Sequence, residues 1–92
     1  MKIYISGRIT GNPNYMKQFE EAENKIREYD IPCINPAVEP DPNKTWSDYM
    51  REDLALLLTC DTILMLKGWW RSRGARLERH VAKKLNMTVV YE

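Results

Sequence analysis

Short apolar runs and amphipathic stretches alternate along the chain. KIYIS (residues 2–6) is β-rich and stops at Gly7, which predicts a strand at the N-terminus. Asn12-Pro13-Asn14 offers a helix start, and Tyr15, Phe19, Ala22, Ile26 and Tyr29 then recur at helical spacing. IPCINP (residues 31–36) reads as a second short strand, and Pro36, Pro40 and Pro42 hold the following ten residues in extended or turn conformations, as a substrate-covering lid or an oligomer contact. Thr45 or Ser47 can cap a helix over residues 46–58, with Asp48 in its first turn. CDTILMLKG (60–68) predicts a third strand, GWWRSRG a polar loop, 72–85 a third helix and MTVVY (87–91) a fourth strand. The order β-α-β-α-β-α-β implies one α/β domain over residues 1–92, with a four-stranded parallel sheet and helices on both faces. Ligands bind such sheets beyond the carboxyl ends of the strands, at the switch point of strand order, which brings GRITGN and GWWRSRG to one crevice.

Two acids break this pattern. In the third helix Ala75, Leu77, Val81, Ala82 and Leu85 share one side, Arg76, Arg79, His80, Lys83 and Lys84 the other, and Glu78 falls in the middle of the apolar side. In the second, Trp46, Tyr49, Met50 and Leu57 form the stripe and Asp53 is central to it. An ionised carboxylate buried without partners costs several kcal/mol, so each acid needs a hydrogen-bonded setting or a polar cavity. A satisfied buried acid explains one such case; two on consecutive helices flanking one strand point to a shared site. Ser72 before the third helix can cap it, bind an anion at its N-terminus, or do both. Tyr4 on the first strand reads as core packing. YISGRITGN fits neither GxGxxG nor GxxxxGK[ST], which disfavours a P-loop triphosphatase.

A formal charge of +1 excludes strong overall steering toward nucleic acid or anionic membranes. The charge is unevenly spread, since Lys67 to Lys84 carries about +6. Those cations, with Trp69 and Trp70 as stacking partners, allow a nucleic-acid surface as a third reading, against the simpler reading as a solvated helix face. Cys33 and Cys60 sit in apolar runs and read as buried free thiols of a cytoplasmic protein. No apolar stretch approaches the ~18 residues of a membrane span, and no residues stand at metal-ligand spacing. So small a domain is marginal alone, so a homodimer or higher homo-oligomer is expected.

YISGRITG, DLALLLTCDTILML and SRGARLERHVAKKLNMTVVY together resemble the nucleoside 2-deoxyribosyltransferase-like superfamily, which includes the deoxynucleoside 5′-monophosphate N-glycosidases. The resemblance spans almost the whole chain and implies a Rossmann-like or flavodoxin-like three-layer sandwich. It further implies an enzyme, without cofactor, that breaks the bond between a 2′-deoxyribose and a base. By that resemblance Glu78 attacks the anomeric carbon, Asp53 acts near the leaving base or sugar, and Tyr4 orients the glutamate. Ser72, Arg8 and Thr10 match the 5′-phosphate site by position, although Arg8 and Thr10 depart from the expected residue types. Gly7 and Gly74 of the two turns, with Trp69, complete the expected substrate-binding set. The basic WWRSR stands where the transferases carry a further aspartate, which favours a phosphate-bearing ligand.

The chemistry suits two carboxylates, one attacking and one assisting the departing base. Positive charge near the helix start should keep Glu78 ionised, which leaves Asp53 as the proton donor. A non-catalytic module holding a nucleotide in the same crevice is the alternative.

Overall fold

The computed structural model describes residues 1–92. Its central strand is β1 (Ile3–Ser6), flanked by β2 (Cys33–Ile34) on one side and β3 (Thr62–Met65) on the other, with β4 (Thr88–Tyr91) beyond β3. All pairs are parallel, with Tyr4 opposite Ile63 and Ser6 opposite Met65. The order β2-β1-β3-β4 places the switch point between β1 and β3, because β1 leads outward to β2 and β3 outward to β4. The sheet is thus the Rossmann-like, three-layer arrangement expected from the alternation of elements.

Side chains alternate across β1 and divide the core in two. Tyr4 joins Ile63, Met65, Leu57, Ala75 and Ala82 on the face covered by α2 (Trp46–Leu57) and α3 (Arg73–Lys84). Ile5 joins Phe19, Ala22, Ile26, Cys33 and Leu66 on the face covered by α1 (Tyr15–Arg27). Both cysteines are buried free thiols. No helix is long and apolar enough to cross a membrane.

Several elements are shorter than the hydrophobic pattern predicts. β2 holds two residues rather than six, since Pro32 and Pro36 bracket it and lack the N–H a ladder needs; the Pro32 carbonyl still accepts from Ile3 N at 3.0 Å. α1 stops at Arg27, so Tyr29 lies past its end and is 76% exposed, next to Asp30 at φ 55°. The polar loop after β3 contains a 3-10 turn, Trp69–Arg71, entered through Gly68 at φ +88°.

Each of the last two helices starts on a specific cap. Thr45 Oγ1 accepts from Asp48 N, and the Asp48 carboxylate accepts from Thr45 N, closing a capping box at the start of α2. Ser72 Oγ accepts from Ala75 N at 3.1 Å and caps α3.

Candidate active site

α3 buries Ala75, Glu78 and Ala82 against the sheet, while Leu77 and Val81 are half-buried on its shoulder and Leu85 is exposed. Glu78 is therefore on the central row of the inward face, and the alanines on either side of it add little bulk between helix and strands. At that distance its carboxylate reaches β1. Tyr4 Oη donates to Oε2 at 2.5 Å and Ser6 Oγ donates to Oε1 at 2.7 Å. Tyr4 and Ser6 are two residues apart on one strand, so their side chains leave the same face, and one strand supplies both donors. Glu78 is 5% exposed and has no basic partner among the ion pairs.

Asp53 follows Met50 and precedes Leu57 on the inward stripe of α2 and is half-buried. Both carboxylates line one cavity of about 900 Å³ beyond the carboxyl ends of β1 and β3. No hydrogen bond engages the Asp53 carboxylate, whereas both oxygens of Glu78 are engaged. Burial pushes Glu78 up to about 7, against the pull of the Tyr4 and Ser6 hydrogen bonds, and the Asp53 charge adds to the rise. Burial also pushes Asp53 up to about 6, with Glu52 raising it and Lys44 lowering it. Tyr4 is raised by burial and by the charges of Glu78 and Asp53, so it stays a hydroxyl donor.

No arginine pairs with Glu78, and burial raises it although the start of α3 is positively charged. Both carboxyls are thus raised by burial toward neutral pH, Glu78 with a contribution from the Asp53 charge.

Gly7, Thr10, Ser72 and Gly74 line the cavity beside Asp53 and Glu78, and Tyr4 stands behind Glu78 as its donor. The two carboxylates thus meet in one space. Arg8 and Trp69 are not among the lining residues. The Arg8 guanidinium lies against Gly11, its Nε buried without a partner, while its carbonyl accepts from Asn12. Trp69 packs on the α2–α3 side of the core, edge-on to Trp70 at 6.3 Å, with Arg79 stacked on its ring at 4.9 Å.

One site residue escaped the sequence reading. Ser6 is the second donor to Glu78. Arg71 and Arg73 line the cavity at the start of α3, and the Arg73 guanidinium carbon lies over the Trp46 ring, 3.8 Å from its centre. Pro36, Val38 and Pro40 form a further wall, tied down by Tyr15, whose hydroxyl donates to Val38 O at 2.7 Å, and by Tyr49, whose hydroxyl accepts from Asp41 N at 2.6 Å. No three His, Cys, Asp or Glu side chains gather as metal ligands.

Chemically, the arrangement offers a buried carboxylate held in a fixed orientation, a second carboxyl free to exchange a proton, and a cationic helix start on one rim. Among curated proteins none matches the chain. Residues 1–91 match a protein family described as a domain of unknown function, DUF4406, and the chain belongs to that family.

Proposed function

We propose that the protein is an N-glycosidase or deoxyribosyltransferase of the nucleoside 2-deoxyribosyltransferase-like kind, acting on a deoxynucleoside or its 5′-monophosphate. The observation that carries this reading is the pair of carboxylates lining one cavity, with Glu78 gripped by two hydroxyl donors from β1. A carboxylate whose two oxygens are both fixed presents little rotational freedom to lose on attack, and orientation of this kind accounts for much of the rate of intramolecular reactions.

In the reactive state Glu78 is ionised and Asp53 protonated. A Glu78 oxygen bonds to the anomeric carbon while the glycosidic C–N bond breaks. The electron pair leaves with the base nitrogen, which takes the proton of Asp53. Water, or a second base, then attacks the same carbon; its proton returns to Asp53 and Glu78 is released. Burial raises both carboxyls toward neutral pH, which suits a step in which one is ionised while the other carries a proton. The Ser72 cap, Arg71 and Arg73 suit a 5′-phosphate at the start of α3.

We also propose that the protein works as a homodimer. Leu58 at the end of α2 is 59% exposed and Leu85 after α3 is 53% exposed, apolar side chains that a second copy would cover.

Incubation with the four deoxynucleoside 5′-monophosphates, with free base resolved by chromatography, tests the enzymatic reading. Base release by the native protein and none by Glu78→Ala supports it. Binding of nucleotides without release selects a non-catalytic nucleotide module instead.

A further inference from the structure

Every ion pair in the molecule lies away from one surface. The four join Met1 to Asp61, Lys17 to Glu21, Arg27 to Glu23 and Lys44 to Glu52. The seven Lys and Arg of residues 67–84 take no part in them, and the only acid in that stretch, Glu78, is buried with its carboxylate turned to β1. Arg79 alone among the seven is hydrogen-bonded through its side chain, and to a tyrosine: its Nε donates to Tyr91 Oη at 2.7 Å. Glu92, just past β4, accepts from the Lys67 backbone N–H at 2.9 Å rather than from any of these cations. The surface thus carries positive charge that the protein leaves unneutralised, although the whole chain is near neutral.

These cations form a row beside exposed aromatic rings. Arg76, Arg79 and Lys83 stand at i, i+3 and i+7 of α3, so they share one side of the helix, ~4.5 and ~6 Å apart along its axis. The Arg79 guanidinium carbon lies 4.9 Å from the centre of the Trp69 ring and 5.8 Å from that of Tyr91. Trp70 meets Trp69 edge-on and is 55% exposed, and Tyr91 is 49% exposed. Trp69, Trp70, Tyr91 and Arg79 therefore make one contiguous patch rather than scattered exposures. Arg71, which follows Trp70 and lines the cavity, carries the patch on to the cavity's rim.

We propose that this surface binds single-stranded nucleic acid, with phosphates against the α3 row and Arg71 and with bases stacked on Trp70 and Tyr91. The arginines present planar forks that match phosphate oxygens. The rings separate a single strand from other polyanions: a duplex hides its base faces in its own stack and an acidic peptide has none, whereas every unpaired base offers a flat face. Neither carboxylate of the cavity takes part, so the surface stands independently of the glycosidase reading. A chain of net charge +1 exerts little long-range attraction, and an affinity of ~10⁻⁴–10⁻⁶ M at physiological salt follows from backbone contacts of this kind. Contact with about three phosphates gives a slope of roughly −2 in log affinity against log salt.

Fluorescence anisotropy of a short end-labelled oligothymidylate, titrated with the native protein over a range of salt, reads this directly. Saturable binding with that slope is expected. Trp70→Ala, at an exposed position, should weaken it by ~10–100-fold, the worth of one stacked base, and Trp70→Phe should restore most of the loss. Arg76→Glu combined with Lys83→Glu should weaken binding and flatten the salt slope by about 1 or more. Lys17→Glu combined with Lys25→Glu on α1 changes the net charge equally and should leave the affinity nearly unchanged. Absence of binding at low salt overturns the proposal. So does a duplex of the same length that binds as tightly, an α1 variant as impaired as the α3 variant, or equal capture of polyglutamate or phosphatidylserine vesicles, which shows a general anion surface. Failure here leaves the glycosidase reading untouched, and a lack of base release from monophosphates leaves this surface standing.

Discussion

Glu78 carries the argument at the scale of single residues. A carboxylate on an apolar helix face is costly, and this one is stabilised by two hydroxyls from a single strand without any basic partner. Hydrogen bonds to a charged group contribute about 1.5–3 kcal/mol each. Removing the Ser6 donor should therefore raise the Glu78 pKa by about one unit or more, since one unit corresponds to ~1.4 kcal/mol. Carbon-13 titration of the Glu78 carboxyl in Ser6→Ala checks this, and an unmoved pKa would show that the bond contributes nothing to the ionised form. Activity follows the same pair. With apparent values of about 6 and about 7, kcat/KM against pH should be a narrow bell peaking between them, and Asp53→Asn should lower kcat by ~10²–10⁴-fold. Glu78 and Asp53 were legible in the sequence because an acid at the centre of an apolar stripe is conspicuous. Ser6 was equally available, two residues from Tyr4 on the same strand, but a serine at a strand end breaks no pattern. Arg8 follows Gly7, where the strand has ended and alternation no longer says which way a side chain leaves.

Among the elements, the order of strands and helices was readable because each helix carries a 3.6-residue stripe and each strand is bounded by proline, glycine or a cap. Lengths were not. Apolar runs such as IPCINP extend past the ladder, because a neighbouring strand and not hydrophobicity decides where pairing stops. The pattern of prolines after IPCIN leaves that segment open between a lid and an oligomer contact, and the hydroxyl bonds from Tyr15 and Tyr49 hold it along the cavity wall. Two substitutions test the local account. Thr45→Ala removes the capping box of α2 and should cost about 1 kcal/mol. Gly68 sits at φ +88° with open space where a side chain would project, so Gly68→Ala should cost ~1 kcal/mol through backbone strain alone. Either loss should lower Tm by ~4–8 °C in a domain of this size, and thermal denaturation at fixed pH reads both.

For the whole molecule, the site is a source of instability that the fold tolerates. Carboxyls raised by burial hold protons that the unfolded chain has shed, so their contribution favours folding at low pH and is lost as pH rises toward about 7. Glu78→Gln should therefore gain stability relative to the native protein between pH 4.5 and pH 8, by roughly 2–3 kcal/mol in urea unfolding. A constant difference across that range would mean that Glu78 is ionised at little cost. The exposed Leu58 and Leu85 belong to this scale too: sedimentation should show a dimer, and Leu58→Glu a monomer.

The central claim is that Glu78 attacks the anomeric carbon. Rapid acid quench of the protein with a deoxynucleoside 5′-monophosphate, followed by mass analysis of its tryptic peptides, reads the bond itself. The account predicts a deoxyribose phosphate adduct on the peptide carrying Glu78, absent from Glu78→Gln. Base release with no adduct at that residue, or with the adduct on another side chain, would contradict it.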